Sequence, residues 1–223
     1  MPVSETFDAS QDARAPSARL RETLLDALLE IAPFEGWTRA SLKEAADASG
    51  LTSGEVSLAV PGGITDLLEA FAARADNEAA RIIGDADLGR MKVRERITFA
   101  VRARIEAVAP HKEAARRAAE AAMAPWRVGL AHRLVWRTAD VLWRSVGDKS
   151  TDGNWYSKRA ILSGVLASTL VVWFASDDEN AWRHLDARID NVMQFEKVKA
   201  RAKKFAARAP NPMDLLGGRR GTL

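Results

Sequence analysis

The sequence predicts an all-helical protein. Apolar residues recur at steps of three and four in one segment after another. Alanine is abundant, and β-branched clusters are few outside 161–174. No alternating strand pattern and no Asn-Gly hairpin signal occurs. A chain of 223 residues is long enough for one sizeable core, or for a small domain joined to a larger one. It has no cysteine, which excludes disulfides and thiolate metal sites. Residues 1–16 lack the apolar stretch of a signal peptide and read as polar and disordered, so the expected location is the cytoplasm.

Ser17 is a fair N-cap for a first helix with Leu20, Leu24, Leu28 and Ile31 on one stripe, widened by Leu25 and Leu29 and ended by Pro33. Thr38 or Ser41 caps a second helix, Leu42 to Ser49, which Gly50 terminates. Ser53 caps a short third helix that stops before Pro61-Gly62-Gly63. A long fourth helix starts near Thr65 and runs to about Ile83, with Leu67, Leu68, Phe71 and Ala75 on one face. Lys92 to Val108 is a helix with Val93, Ile97, Ala100, Val101, Ile105 and Val108 inward; Arg94, Arg96, Arg102 and Arg104 are placed mostly outward. Pro110 breaks it, an alanine-rich helix follows from His111 to Met123, and Pro125 closes that one. Trp126 to Val146 is a long helix.

Three N-terminal helices, the second and third short and joined at a glycine, make a helix-turn-helix. The pattern over 42–71, with Leu42, Ala45, Ala46, Ser49, Gly50, Leu51 and the later Leu67, Leu68 and Phe71, resembles the DNA-binding domain of TetR-type regulators. Such domains read the major groove with their third helix. The charges oppose that use here. Residues 38–60 carry Arg39 and Lys43 against Glu44, Asp47 and Glu55, a net of −1, and the third helix has no Lys or Arg. DNA affinity depends on basic side chains that neutralise phosphates. The aromatic pair usual late in that helix is replaced by Leu58 and Val60, and the usual Lys at the start of the fourth helix is replaced around Gly63 and Ile64. A helix-turn-helix scaffold without nucleic-acid binding is expected.

The most distinctive stretch runs from Gly147 to Phe174. A loop rich in Gly, Ser, Thr and Asp leads into an uncharged run from Ala160 to Ser176, bracketed by Arg159 and Asp177. Seventeen uncharged residues fall just short of a bilayer span of roughly 18–20. The run reads as a helix buried on nearly every side of a soluble protein. Ser163, Gly164, Ala167, Ser168 and Val171 make a small-residue face; Leu162, Leu166, Leu170 and Trp173 make a bulky one. The small face lets another helix approach closely, as in a homodimer, or leaves room for a ligand. Trp155 and Tyr156 follow the polar loop, so at least one should reach the surface as a contact site; the alternative is that both cap the core.

Asp177-Asp178-Glu179 suits a helix N-terminus, and a ninth helix carries Trp182, Leu185, Ile189, Val192 and Phe195. Beyond it, Phe195, Val198, Ala202 and Phe205 form a thin apolar stripe among Lys197, Lys199, Arg201, Lys203, Lys204 and Arg208. From Lys197 to the end the net charge is +7, more than the +3 of the whole chain. A basic amphipathic segment suits a membrane surface, a nucleic acid or an acidic partner. Pro210 and Pro212 stop the helix, and 209–223 read as a disordered tail.

Catalytic signatures are absent. His111, His132 and His184 have no Glu-x-x-His spacing, so neither a metal site nor a di-iron bundle is indicated. There is no nucleophile elbow, P-loop or dinucleotide fingerprint. No catalytic residue and no cofactor are expected.

The stretch GDKSTDGNWYSKRAILSGVLASTLVVWF, the following AWRHLDARIDNVMQFEKVKA, and FEGWTRASLKEAA with VPGGITDLLEAF upstream resemble the coenzyme Q biosynthesis accessory family. The likeness covers most of residues 20–200. It implies a TetR-like fold of about nine to ten helices. It implies a non-catalytic protein that binds isoprenoid lipids and presents quinone intermediates to a membrane-associated di-iron hydroxylase. The partner surface would carry over to Trp155, Tyr156 and Arg159; Gly153 departs from the Phe usual in that string, which removes an apolar group from the patch. A bound isoprenoid tail would lie between the helices at 126–146 and 160–176, against Leu134, Leu142, Leu162, Leu166, Leu170 and Trp173. A C-terminal membrane helix would carry over to Phe195, Lys197, Val198, Arg201, Lys204, Phe205 and Arg208, giving peripheral association with an anionic inner membrane. The implied organisation is a helix-turn-helix-like domain at 17–60, a lipid-binding and dimerisation domain at 61–194, and the basic helix at 195–208. The alternative reading is a ligand-responsive TetR-type transcriptional regulator.

Overall fold

The computed structural model describes residues 16–151 and 153–208. Among these, nine α-helices and three short 3-10 turns occur and no strand. The helices are α1 Pro16–Glu35, α2 Arg39–Ala48, α3 Ser53–Ala59, α4 Ile64–Gly84, α5 Val93–Glu106, α6 Lys112–Ala122, α7 Leu130–Ser145, α8 Gly153–Ala175 and α9 Asp178–Arg208. The disorder expected of residues 1–15 and 209–223 lies outside the described residues. So do the side chains of the basic segment 195–208, whose backbone simply continues α9.

The N-terminal three helices are set by local chemistry. Thr38 caps α2 in a capping box with Ser41. Thr52, rather than Ser53, caps α3, because the Glu55 carboxylate reaches back to accept from the Thr52 backbone N–H at 2.8 Å. The helix α1 does not end at Pro33. Proline there removes only one donor in the last turn, and Gly36 N–H still donates to Ala32 O at 3.0 Å. Arg21 Nε donates to the Ala59 carbonyl at 2.8 Å and fixes the end of α3 on α1. Trp37 joins this unit to the rest: its indole donates to Ala114 O on α6 at 2.9 Å, and its ring lies 5.4 Å from that of Phe71.

One apolar core runs from Leu24, Leu25 and Leu28 on α1, through Leu67 and Ile83 on α4 and Ile105 on α5, to Leu142, Leu166 and Leu185. The helices α7, α8 and α9 pack in sequence, with α4 and α5 behind α7. Three expectations need correction. The chain from Pro125 to Arg127 is a 3-10 turn, and α7 starts only after Gly129, whose φ of 79° breaks the helix; Trp126 is therefore 79 % exposed. Val93 is exposed, while Arg104 is buried, because helical period places Arg104 on the same stripe as Ile97, Val101 and Val108. Finally, α8 is not buried on nearly every side. Arg159, Leu162, Val165, Leu166, Thr169 and Trp173 form one buried face, but Ala160, Gly164, Val171 and Ala175 are exposed on the other. It is long and apolar enough by composition to cross a membrane, as a core helix can be.

Candidate functional site

The open face of α8 borders a cavity of about 810 Å³. Its walls come from α4, α5, α6, α7 and α8. The small residues Ser163, Gly164, Ala167 and Val171 lie along it, and nothing stands within 4 Å of the position a Cβ on Gly164 would take. Of the two uses open to that face, in this chain it borders space rather than another helix of the same protein. Leu134, Leu166 and Leu170 line the cavity with Val135, Trp136 and Phe174. Leu142, Leu162 and Trp173 do not; they are core. Leu142 and Leu162 belong to the buried cluster between α7 and α8. Trp173 is held by its own contacts: its indole donates to Asp178 Oδ1 at 2.8 Å and Lys112 Nζ sits 4.7 Å above its ring, which locks the α8–α9 turn.

Most of the lining is apolar; the exceptions are Arg104, Thr138 and Ser163 and, nearer solvent, Arg116, Glu120 and His132. Arg104 Nε donates to Asp76 Oδ1 at 2.6 Å, and Thr138 Oγ1 donates to the same oxygen at 2.8 Å. All three side chains are buried. The sequence held a signal for this pair: Asp76 and Arg104 each sit in register with an apolar stripe, where a charge needs a partner. An outward placement of Arg104, as expected from the sequence, misses this pairing. At the rim, Arg116 pairs with Glu113 and Glu120, and the Glu113 carboxyl is drawn down to about 2, chiefly by the Arg116 guanidinium.

A second feature lies at the start of α8. Tyr156 is 65 % exposed. Its ring meets Trp155 edge-on at 4.7 Å and 82°, and Trp155 in turn meets Trp136 at 6.0 Å and 61°. Arg159, expected on the partner surface, is only 1 % exposed. It works beneath the surface: its guanidinium stacks 4.3 Å from the Trp155 ring, Nε donates to Asp140 at 2.6 Å, and Nη1 donates to Asp148 at 3.2 Å. Helical period turns Arg159 inward, since it shares its face with Leu162 and Leu166. Asp148 also accepts from Lys158 at 2.6 Å and from Ser150 at 2.8 Å. Burial pushes its carboxyl up, but Lys158, Ser150 and Arg159 together outweigh burial and hold it at about 2. The loop before α8 is thereby pinned under the aromatic pair. Among the described residues no group of three or more His, Asp or Glu side chains converges as metal ligands would.

These features define an all-helical protein of TetR-like architecture with an apolar cavity in its larger, C-terminal part. The same fold occurs in a TetR transcriptional regulator from Nitrosomonas europaea, with a TM-score of 0.62 and 17 % identity over 77 % of this chain and 97 % of that one. Residues 128–196, which hold α7, α8 and the aromatic pair, match the COQ9 family. The human ubiquinone biosynthesis protein COQ9, mitochondrial, is 29 % identical over 83 % of this chain and 61 % of its own length. The Drosophila melanogaster protein of that name is 28 % identical over 87 % of this chain and 62 % of its own. The chain thus spans about three fifths of the length of the relatives it matches. The resemblance to the coenzyme Q biosynthesis family is shown by these matches.

Proposed function

We propose that this chain acts in ubiquinone biosynthesis as a lipid-binding accessory protein that itself catalyses nothing. It would hold an isoprenoid lipid in the cavity and dock through Tyr156 and Trp155 on a membrane-associated di-iron hydroxylase. The observation that carries this reading is the cavity of about 810 Å³ beside α8, apolar over most of its lining. Such a volume suits a lipid chain, and its walls offer an aliphatic tail apolar surface along most of their extent. The COQ9 match over 128–196 covers the same helices. An anionic inner-membrane surface is the partner read for the basic segment of α9. A homodimer is a further proposal, to be checked by sedimentation. Transcriptional regulation finds little support: α3 has only seven residues, and its single charge is Glu55. The test is mass spectrometry of lipids that copurify with the full chain. Recovery of isoprenoid or quinone species supports the reading; a chain that copurifies with no lipid and takes up none from liposomes overturns it.

A further inference from the structure

The polar groups in the cavity wall suggest what kind of lipid it selects. Arg104 is 9 % exposed and faces the cavity. Its Nε is taken by Asp76, and among the described residues no protein group accepts from its Nη atoms. Ser163 lines the same cavity from α8, and its buried Oγ has no hydrogen-bond partner. Asp76 Oδ2, behind Arg104, is buried and unpartnered as well. Ser163 Oγ and the Arg104 Nη atoms are donors that a ligand oxygen in the cavity would satisfy, whereas Asp76 Oδ2 is an acceptor on a residue outside the lining.

The charge balance decides which oxygen. Asp76 already neutralises Arg104, and Thr138 donates to Asp76 rather than into the cavity. A carboxylate or phosphate at Arg104 would bring a second anion to a guanidinium that already has one, beside walls that are mostly apolar. A hydroxyl or carbonyl oxygen accepts from Arg104 without that cost. We propose that Arg104, with Ser163, forms a head-group subsite that selects lipids bearing a neutral oxygen, an alcohol, phenol, ketone or quinone, over lipids ending in an anion. The subsite rests on the lipid-binding reading above and specifies its ligand.

Titration calorimetry of the delipidated full chain at neutral pH tests it, with an alcohol, a methyl ketone, a carboxylate and an alkane of one medium chain length. The alcohol and ketone should bind about tenfold tighter than either of the others, a difference of about 1.4 kcal/mol. Arg104→Met combined with Asp76→Leu removes the pair as a unit, so that no unpaired charge is left behind. That double variant should keep its affinity for the alkane and lose the preference for the alcohol. Ser163→Ala, a smaller change in an unstrained helix, should reduce the preference in part. Carboxylate binding as tight as alcohol binding in the unaltered chain overturns the proposal without any variant, as does a double variant with its preference intact. If no probe binds, the cavity reading itself fails; if all bind alike, only the subsite does.

Discussion

The indole of Trp136 lies on the cavity wall, and its ring stands 6.0 Å from that of Trp155, tilted by 61°. Through this contact the apolar cavity and the exposed aromatic patch share one wall. Trp155 is thus both a surface residue and a prop for the cavity.

That double role separates two substitutions. Tyr156→Lys changes an exposed ring and should leave the melting temperature within a degree or two of the parent, while binding to the proposed di-iron hydroxylase partner is lost. Trp155→Lys should also lose binding but destabilise by about 1–2 kcal/mol. It breaks the stack on Arg159 and sets an ammonium beside that guanidinium. Calorimetric melting and a pull-down check both. A Tyr156→Lys protein that binds its partner at full strength would remove the patch from the interface.

Acid should weaken the support under the patch. The folded-state pKa of Asp148, about 2, lies below its ordinary 3.8, so the unfolded chain takes up the proton first. The stability this carboxylate contributes is therefore fully present above pH 3.8 and is lost as pH falls through 2. Melting temperatures of the parent and Asp148→Asn, measured from pH 6 to 2, should converge at the acid end, the variant being the less stable at neutral pH. Parallel curves across the range would show that the Lys158 and Arg159 pairs contribute no net stability.

Gly164 offers a way to fill the cavity without disturbing the core. It sits inside α8, its Cβ position is open, and its φ is not positive. Gly164→Leu should raise helix stability by about 0.5–1 kcal/mol, since glycine is the weaker helix former. It should also lower the amount of copurifying lipid. A variant with raised melting temperature and undiminished lipid would place the bound chain elsewhere.

The basic end of α9 gives a prediction from charge. Lys197, Arg201, Lys204 and Arg208 recur at steps of four, three and four. Each basic residue near an anionic surface contributes about 1 kcal/mol, reduced by salt. Truncation after Gln194 should abolish sedimentation with anionic vesicles and leave the core folded by circular dichroism. If the truncated chain pellets as well as the parent, the exposed apolar turn with Trp126 and Val128 becomes the next membrane contact to test.

The sequence by itself determined the helices, the helix-turn-helix, the apolar run at 160–176 and the resemblance to the coenzyme Q biosynthesis family. Those rest on local features: three- and four-residue spacing, caps such as Thr38, breakers such as Gly50, and the string around Trp155 and Tyr156. It also marked Trp155 and Tyr156 as a pair of which at least one should reach the surface, because a polar loop precedes them. Only the tertiary structure decided that Gly164 and Val171 border a cavity, that Leu142, Leu162 and Trp173 lie in the core, and that Arg159 props Trp155 from below. It alone paired Arg104 with Asp76 across 28 positions of sequence. Helical period tells which residues share a face. What stands opposite that face, a neighbouring helix, a counter-charge or empty space, depends on how the helices dock, and docking is set by contacts between residues far apart in the chain.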